Sequence, residues 1–242
     1  IIFEKRGQKK LSFHMEKPLK YGLGLIAILL AWTAIATVWG LPLFNASRYR
    51  DLITLTDGDF SADIAEIDMS NIPVVDRDSA SRLGDRKLGE MTELVSQFEV
   101  ADNYTQINYK GAPYRVTPLV YADPIKWLFN QSSGLPAYIT VDMVTQQTDL
   151  VWLESGMKYS PSEYFFRNID RYLRFRYPTK MFDDVSFEID DNGIPYWVAP
   201  TVTYRVGWWD GKDIDGAVLV NAVTGECTYY QKEDVPEWID QL

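Results

Sequence analysis

The first long feature of the chain is a run with no charged side chain, "YGLGLIAILLAWTAIATVWGLPLFNAS", residues 21–47. Its apolar residues fall on every side of a helix, so it has no polar face to turn to water. About 20 such residues cross the hydrocarbon core of a bilayer as a helix. The pattern predicts a transmembrane helix over 21–44, with Leu23 to Leu43 in the hydrocarbon and Tyr21 and Trp39 near its two ends.

Beyond this run the period changes. "SFEIDDNGIPYWVAP" (186–200) alternates apolar and polar residues around Asn192-Gly193, a hairpin signal in which both turn residues need positive φ. "TQINYKGAPYRVTP" (105–118) alternates in the same way around Lys110-Gly111. The segments GAPYRVTP (111–118) and GIPYWVAP (193–200) agree at five of eight positions, 82 residues apart: Gly111/Gly193, Pro113/Pro195, Tyr114/Tyr196, Val116/Val198 and Pro118/Pro200. The prolines donate nothing to a ladder and are expected at strand edges or bulges. Trp127 and Trp209 keep the same spacing, as do Gly134 and Gly216. "YITVDMVTQQTDLV" (138–151) and "AVLVNAVTGECTYY" (217–230) then match at an offset of 79, with Gly225 in the turn of the second.

Each strand group follows a helical pattern. Leu83, Leu88, Met91, Leu94 and Val95 predict a helix from about Asp78 to Val95. The second is predicted from Ser160 to about Tyr177. There Ser160 is the N-cap, Pro161 the first helical residue and Glu163 the carboxylate of a capping box. The resulting fold class is α+β: two tandem helix-plus-antiparallel-sheet repeats after one N-terminal transmembrane helix. The expected boundaries are a basic leader (1–20), the membrane helix (21–44), a connecting segment (45–75), a first repeat (76–155) and a second (156–242). Within the connecting segment "DFSADIAEI" reads as a short helix and "NIPVVD" as an extended piece.

A helix, an antiparallel sheet and a last hairpin reading "VNAVTGE" resemble the PepSY domain family, whose final hairpin often carries a D-x-x-TGE pattern. The second repeat carries it at Asn221, Thr224, Gly225 and Glu226; the first departs, with Asp142 but Gln146-Gln147. The resemblance covers about 60 residues per repeat. It implies a non-catalytic role in restraining or chaperoning extracellular peptidases, or as a sensory and interaction module of bacterial envelope proteins. It supplies no catalytic residues.

Charge orients the chain. Residues 1–20 hold six Lys/Arg against two Glu, and the remainder holds 18 basic against 32 acidic residues. The positive-inside rule therefore puts 1–20 in the cytoplasm and 48–242 outside. The acidic body argues against nucleic acid, which needs a basic footprint. A cleaved signal peptide is a weaker reading, because the apolar run continues past its small-residue site at Ala34-Ile35-Ala36.

Little in the sequence carries chemistry. The single histidine, His14, lies on the cytoplasmic side, which leaves the body without a Ser-His or Cys-His site. No Cys/His cluster suits zinc. Cys227 reads as a small semi-apolar residue in a strand-like stretch, buried and inert. Glu188, Asp190 and Asn192 imitate the opening of a calcium loop, but Ala199 stands where its closing Glu belongs. "DGKDIDG" (210–216) reads as a solvated acidic turn. No cofactor or metal is expected, and no catalytic residue is assigned.

Two sets of residues are candidates for partner contact. Arg167, Arg171 and Arg174 share one face of the second predicted helix, a docking stripe for an acidic partner or a solvated face. Trp208 and Trp209 precede a turn and are expected to place one indole outward, where it anchors a partner. Gly111, Pro113, Tyr114, Gly193, Pro195, Tyr196 and Gly225 are structural. The expected function is a non-catalytic extracytoplasmic binding or regulatory module. Its partners are the bilayer, through 21–44, and an envelope protein, such as a peptidase. A structural subunit or fragment of a larger membrane protein assembly is the alternative, and a carboxylate-based cell-wall hydrolase is weaker.

Overall fold

The computed structural model describes residues 17–53, 58–59 and 69–241. The leader up to residue 16, with His14, and the helix expected in "DFSADIAEI" lie outside the described residues. The described chain is mixed α+β, with one N-terminal apolar helix and two antiparallel sheets. It forms two compact units. One holds the residues before Leu55 together with Tyr204–Lys212; the other holds Leu55–Thr203 and Asp213–Leu242.

In the first unit, helix α1 (Lys17–Gly40) is long and apolar enough to cross a membrane. It begins earlier and ends sooner than the expected 21–44. Pro42 explains the end. It lacks an N–H and pushes the residue before it into extended backbone, and Leu41 has ψ 145°. A second helix, α2 (Pro42–Arg50), follows at once and is kinked at Asn45, whose amide donates back to the Trp39 carbonyl.

The second unit holds most of both sheets. Helix α3 (Arg77–Gly89) is capped by Asp76, whose side chain accepts from the Ser79 N–H at 2.8 Å. It stops six residues short of the expected Val95. After Gly89 the chain continues in tight turns that still bury Leu94. The first sheet comprises β1 (Phe98–Val100), β2 (Thr105–Tyr109), β3 (Ala112–Tyr121), β4 (Leu135–Asp142) and β5 (Thr148–Met157). Its order is β1-β3-β4-β5, with β2 also on β3. Between β3 and β4 lies a short helix, α4 (Pro124–Asn130). The second sheet comprises β6 (Met181–Phe182), β7 (Ser186–Ile189), β8 (Pro195–Val206), β9 (Asp210–Asn221) and β10 (Cys227–Gln231). Its order is β10-β9-β8-β6, with β7 also on β8. The helix before it, α5 (Ile169–Arg176), is capped by Asn168. "DGKDIDG", expected as a turn, is the start of β9.

Of the two matched prolines per sheet, Pro113 and Pro195 lie at the start of β3 and β8, as expected, and Pro118 and Pro200 share another place. β3 pairs with β2 through Val116 and with β1 from Leu119, so Pro118 sits where the partner changes. β8 pairs with β7 through Val198 and with β6 from Thr201, and Pro200 sits in that gap. A residue without an N–H is harmless where no strand stands opposite. Pro118 and Pro200 therefore mark a switch of partner inside a long strand rather than a strand edge.

The turns are equally specific. Lys110 and Gly111 both take positive φ (53° and 81°), as a two-residue hairpin needs. The second copy differs from expectation: Gly193 alone is positive. The Asp190 carboxylate accepts from the N–H groups of Asn192 and Ile194, which builds a longer turn closed by a glycine bulge. The final hairpins match bond for bond. Asp142 Oδ1 accepts from Val144 and Thr145, and Asn221 Oδ1 accepts from Val223 and Thr224. Met143 O receives Val74 and Val75, just as Ala222 O receives Lys158 and Tyr159. Gln146 (φ 65°) occupies the left-handed position that Gly225 (φ 77°) holds in the second turn. Gly225→Ala adds left-handed strain and drives a methyl into the Tyr159 ring. Its expected cost is about 2 kcal/mol, whereas Gln146→Gly is expected to stabilise by about 0.5 kcal/mol. Urea unfolding of the two variants checks both signs.

A single hydrophobic cluster joins the two sheets. It includes Leu119, Leu135, Tyr138, Ile139 and Met157 from the first half and Phe187, Trp197 and Val220 from the second. β7 packs on β2 and β3. Tyr138 meets Phe187 edge-on at 6.0 Å and donates its hydroxyl to Gly193 O at 2.8 Å. On the other face of the second sheet Trp238 and Ile239 cover Val198, Ala217 and Leu219.

Candidate docking surface

The most unusual surface of the second unit grows from α4. Asp123 caps this helix, accepting from the N–H groups of Ile125 (2.7 Å) and Lys126 (2.9 Å), and Pro124 starts it. Seven residues allow one inward side chain of weight, and that is Trp127. Ile125, Leu128 and Phe129 are left exposed, Phe129 at 76%. The sequence "DPIKWLFN" carries the signal for this helix, an N-cap, a proline and a short apolar run.

Beside α4 runs the segment expected to open the second helix. It is not helical: Ser160 bridges to Asn168, a 3-10 turn spans Phe165–Arg167, and α5 starts only at Ile169. The reason is Glu163. Its carboxylate is 3% exposed and accepts from the Tyr121 hydroxyl (2.7 Å) and the Trp127 indole N–H (2.8 Å). A buried carboxylate with two donors from another element outweighs the capping box predicted for it. Trp127 also packs on Tyr164 (4.7 Å) and Phe165 (5.9 Å). Phe165 is held at φ 54°, a left-handed backbone that a bulky residue seldom adopts. The strain turns Phe165 and Phe166 outward, at 65% and 73% exposure. Burial and the Glu163 carboxylate raise the Tyr121 hydroxyl pKa far above its ordinary range.

Ile125, Leu128 and Phe129 on α4, and Phe165 and Phe166 on the turn that Trp127 and Arg167 tie to α4, form an exposed apolar ridge. Of these, Phe165 lines a cleft of about 600 Å³ together with Tyr121, Asp123, Glu163, Asn168 and Arg171. Both carboxylates of this cleft are committed, Asp123 to the α4 cap and Glu163 to Tyr121 and Trp127.

The three arginines are not one stripe. Arg167 lies outside α5, and its Nη1 donates to Gln131 O at 2.7 Å, tying the turn to the end of α4. Arg171 Nη1 donates to Phe165 O (3.0 Å), which braces the strained turn. Arg174 Nη1 donates to Lys180 O (3.2 Å), and its guanidinium lies over the Phe182 ring. They hold loops in place, and Arg171 alone also lines the cleft. Trp208 and Trp209 belong to the other unit, in the turn between β8 and β9, and are 63% and 39% exposed. Glu188 and Asp190 do not form a metal loop. Glu188 is fully buried, and Asp190 serves the hairpin turn.

No protein-family model, no curated protein and no solved structure matches this chain.

Proposed function

We propose that this chain is a non-catalytic binding module, anchored in a membrane by α1, whose second unit docks an envelope protein. The body is two PepSY-like units in tandem. Support for the repeat comes from the matched strand orders, the partner switches at Pro118 and Pro200, and the equivalent final turns. Support for the anchor comes from 24 residues of helix with Lys17 and Lys20 at one end and, beyond Pro42, Arg48 and Arg50 at the other.

The observation that carries the docking role is the braced ridge of Phe129, Phe165 and Phe166. Three phenylalanines are held outward, one of them on a strained backbone. Such a patch marks a protein contact more often than an accident of folding. Arg171, at its border, has guanidinium N–H groups to offer a carboxylate of the partner.

The test is a photo-crosslinking residue at position 166, carried by the full chain in its native membranes. A discrete adduct is expected at 166 and is expected to be lost when Phe129→Asp or Phe165→Asp is added. A label at 166 that crosslinks to nothing, or to the same bands in both variants, overturns the ridge as a docking site. An adduct with lipid alone assigns the ridge to the bilayer instead of a protein.

A further inference from the structure

Inside the first unit the β8–β9 turn lies against α1, and this contact places its two tryptophans. Gly207 packs backbone to backbone on Gly40: a Cβ at 207 would stand 3.2 Å from the Gly40 Cα. A methyl at Gly40 would overlap the Asp210 carboxylate. The Tyr49 hydroxyl donates to Gly40 O at 2.9 Å, fixing the same corner from α2. From this corner the Trp208 indole reaches along the helix to Trp32, edge to face at 5.4 Å, with Trp209 beside it at 6.4 Å. Trp32, Ala36 and Gly40 are spaced by four and share one helix face. Ala36 and Gly40 are the two buried residues of α1.

Eight residues of helix separate Trp32 from Gly40, about 12 Å at 1.5 Å per residue. If the uncharged part of α1, residues 21–40, fills the hydrocarbon, Gly40 lies at the headgroups and Trp32 about 12 Å deeper, within the apolar span. An indole set edge-on against Trp32 is then surrounded by acyl chains on the sides that Trp32 does not cover. The Asp210 carboxyl group, packed against Gly40, sets the limit of depth, because so polar a side chain belongs with the headgroups. Trp209 suits the boundary between them.

We propose that the β8–β9 turn is a second membrane contact, with Trp208 and Trp209 seated in the lipid of the leaflet beside the end of α1. This rests on α1 spanning the bilayer. The occupant is the bilayer itself, because the turn is already packed on the helix that the bilayer surrounds.

The experiment uses the full chain, with Cys227→Ser, in phosphatidylcholine vesicles. A single cysteine at 208 or at 209 carries an environment-sensitive fluorophore, and a third sample carries it at 110, in the exposed β2–β3 turn. The variant at 209 keeps the Trp208–Trp32 contact intact. Spin-labelled acyl chains are expected to quench the labels at 208 and 209 about threefold more than the label at 110, with iodide showing the reverse order. Alkaline carbonate extraction of the same vesicles reports the anchor separately. A carbonate-resistant chain whose labels at 208 and 209 are as open to iodide as the one at 110 overturns the second contact and leaves the anchor standing. A chain released by carbonate overturns the anchor, and the second contact falls with it.

Discussion

Replacing Glu163 with alanine is expected to destabilise the second unit by about 3 kcal/mol, because two buried donors lose their acceptor at once. The Tyr121 hydroxyl and the Trp127 indole N–H both end on this one carboxylate, at 2.7 and 2.8 Å. Neither donor has another acceptor among the hydrogen bonds seen at this site, and an unsatisfied buried donor costs about 1–3 kcal/mol. Glu163→Gln keeps one acceptor oxygen and presents an amide to the other donor, so about half that loss is expected. The consequence reaches the surface. Trp127 holds Tyr164 and Phe165 through ring contacts, so its release frees the outward pose of Phe165. The crosslink at 166 is therefore expected to weaken in Glu163→Ala at temperatures where the variant is still folded. Urea unfolding of the full chain in detergent measures the first effect. An alanine variant as stable as the parent would mean the carboxylate braces nothing.

The pattern of the sequence reached some of these elements and missed others, for identifiable reasons. The apolar run, the Lys110-Gly111 hairpin and the paired final turns rest on interactions within a few residues. For them, local chemistry decides the backbone. Asp142 and Asn221 accept from N–H groups two and three residues on, and no distant partner is needed. The second helix failed for the opposite reason. Ser160, Pro161 and Glu163 have the spacing of a helix start, but Tyr121 and Trp127, some 40 residues earlier, claim the carboxylate. Asn168 then becomes the cap, eight residues later than expected. The turn at Asn192 went astray through a competition that is local but between side chains: Asp190 accepts two N–H groups and lengthens the loop. The arginine stripe was drawn on a helix that starts too late to contain Arg167. The ridge of the candidate site was illegible because its residues come from two segments that meet only in the fold. The placement of Trp208 and Trp209 against α1 likewise depends on a contact between residues more than 170 positions apart.

The pH dependence of stability is expected to run against the usual direction for a protein rich in carboxylates, and Glu188 is the cause. This residue, in β7, is fully buried. It accepts from the Ser186 hydroxyl and the Asp240 N–H, both at 3.0 Å. These bonds favour the carboxylate, but desolvation is larger and raises its pKa from 4.5 to about 7; the Asp240 charge adds to the rise. Between these two values the folded chain binds more protons than the unfolded chain. Stability must then fall as pH rises from about 4.5 to 7, by up to about 3 kcal/mol, and level off above. Asp76, Asp142 and Asp215 act at lower pH and with the opposite sign. Hydrogen bonds to Asp76 and Asp142, and to Asp215 from Thr201 and Lys180, hold their pKa values down; in the latter two the bonds outweigh desolvation. Their contribution is present above pH 4 and is lost as pH falls below it. The two effects together place the optimum near pH 4.5–5. Glu188→Gln keeps an acceptor for the Asp240 N–H and gives its amide to Ser186 Oγ, with no charge to bury. It is expected to match the parent near pH 4.5, to exceed it by about 2–3 kcal/mol at pH 7, and to lose the slope between. Asp240 also accepts from the Asn108 N–H, so Glu188 sits under a segment that ties β7 to β2. The lost stability should show at that tie as a lower protection factor for the Asn108 amide, after correction for the intrinsic rise of exchange with pH, on going from pH 5 to 7.5. A variant that keeps the parent's slope would place the proton uptake on another group and remove Glu188 from the account.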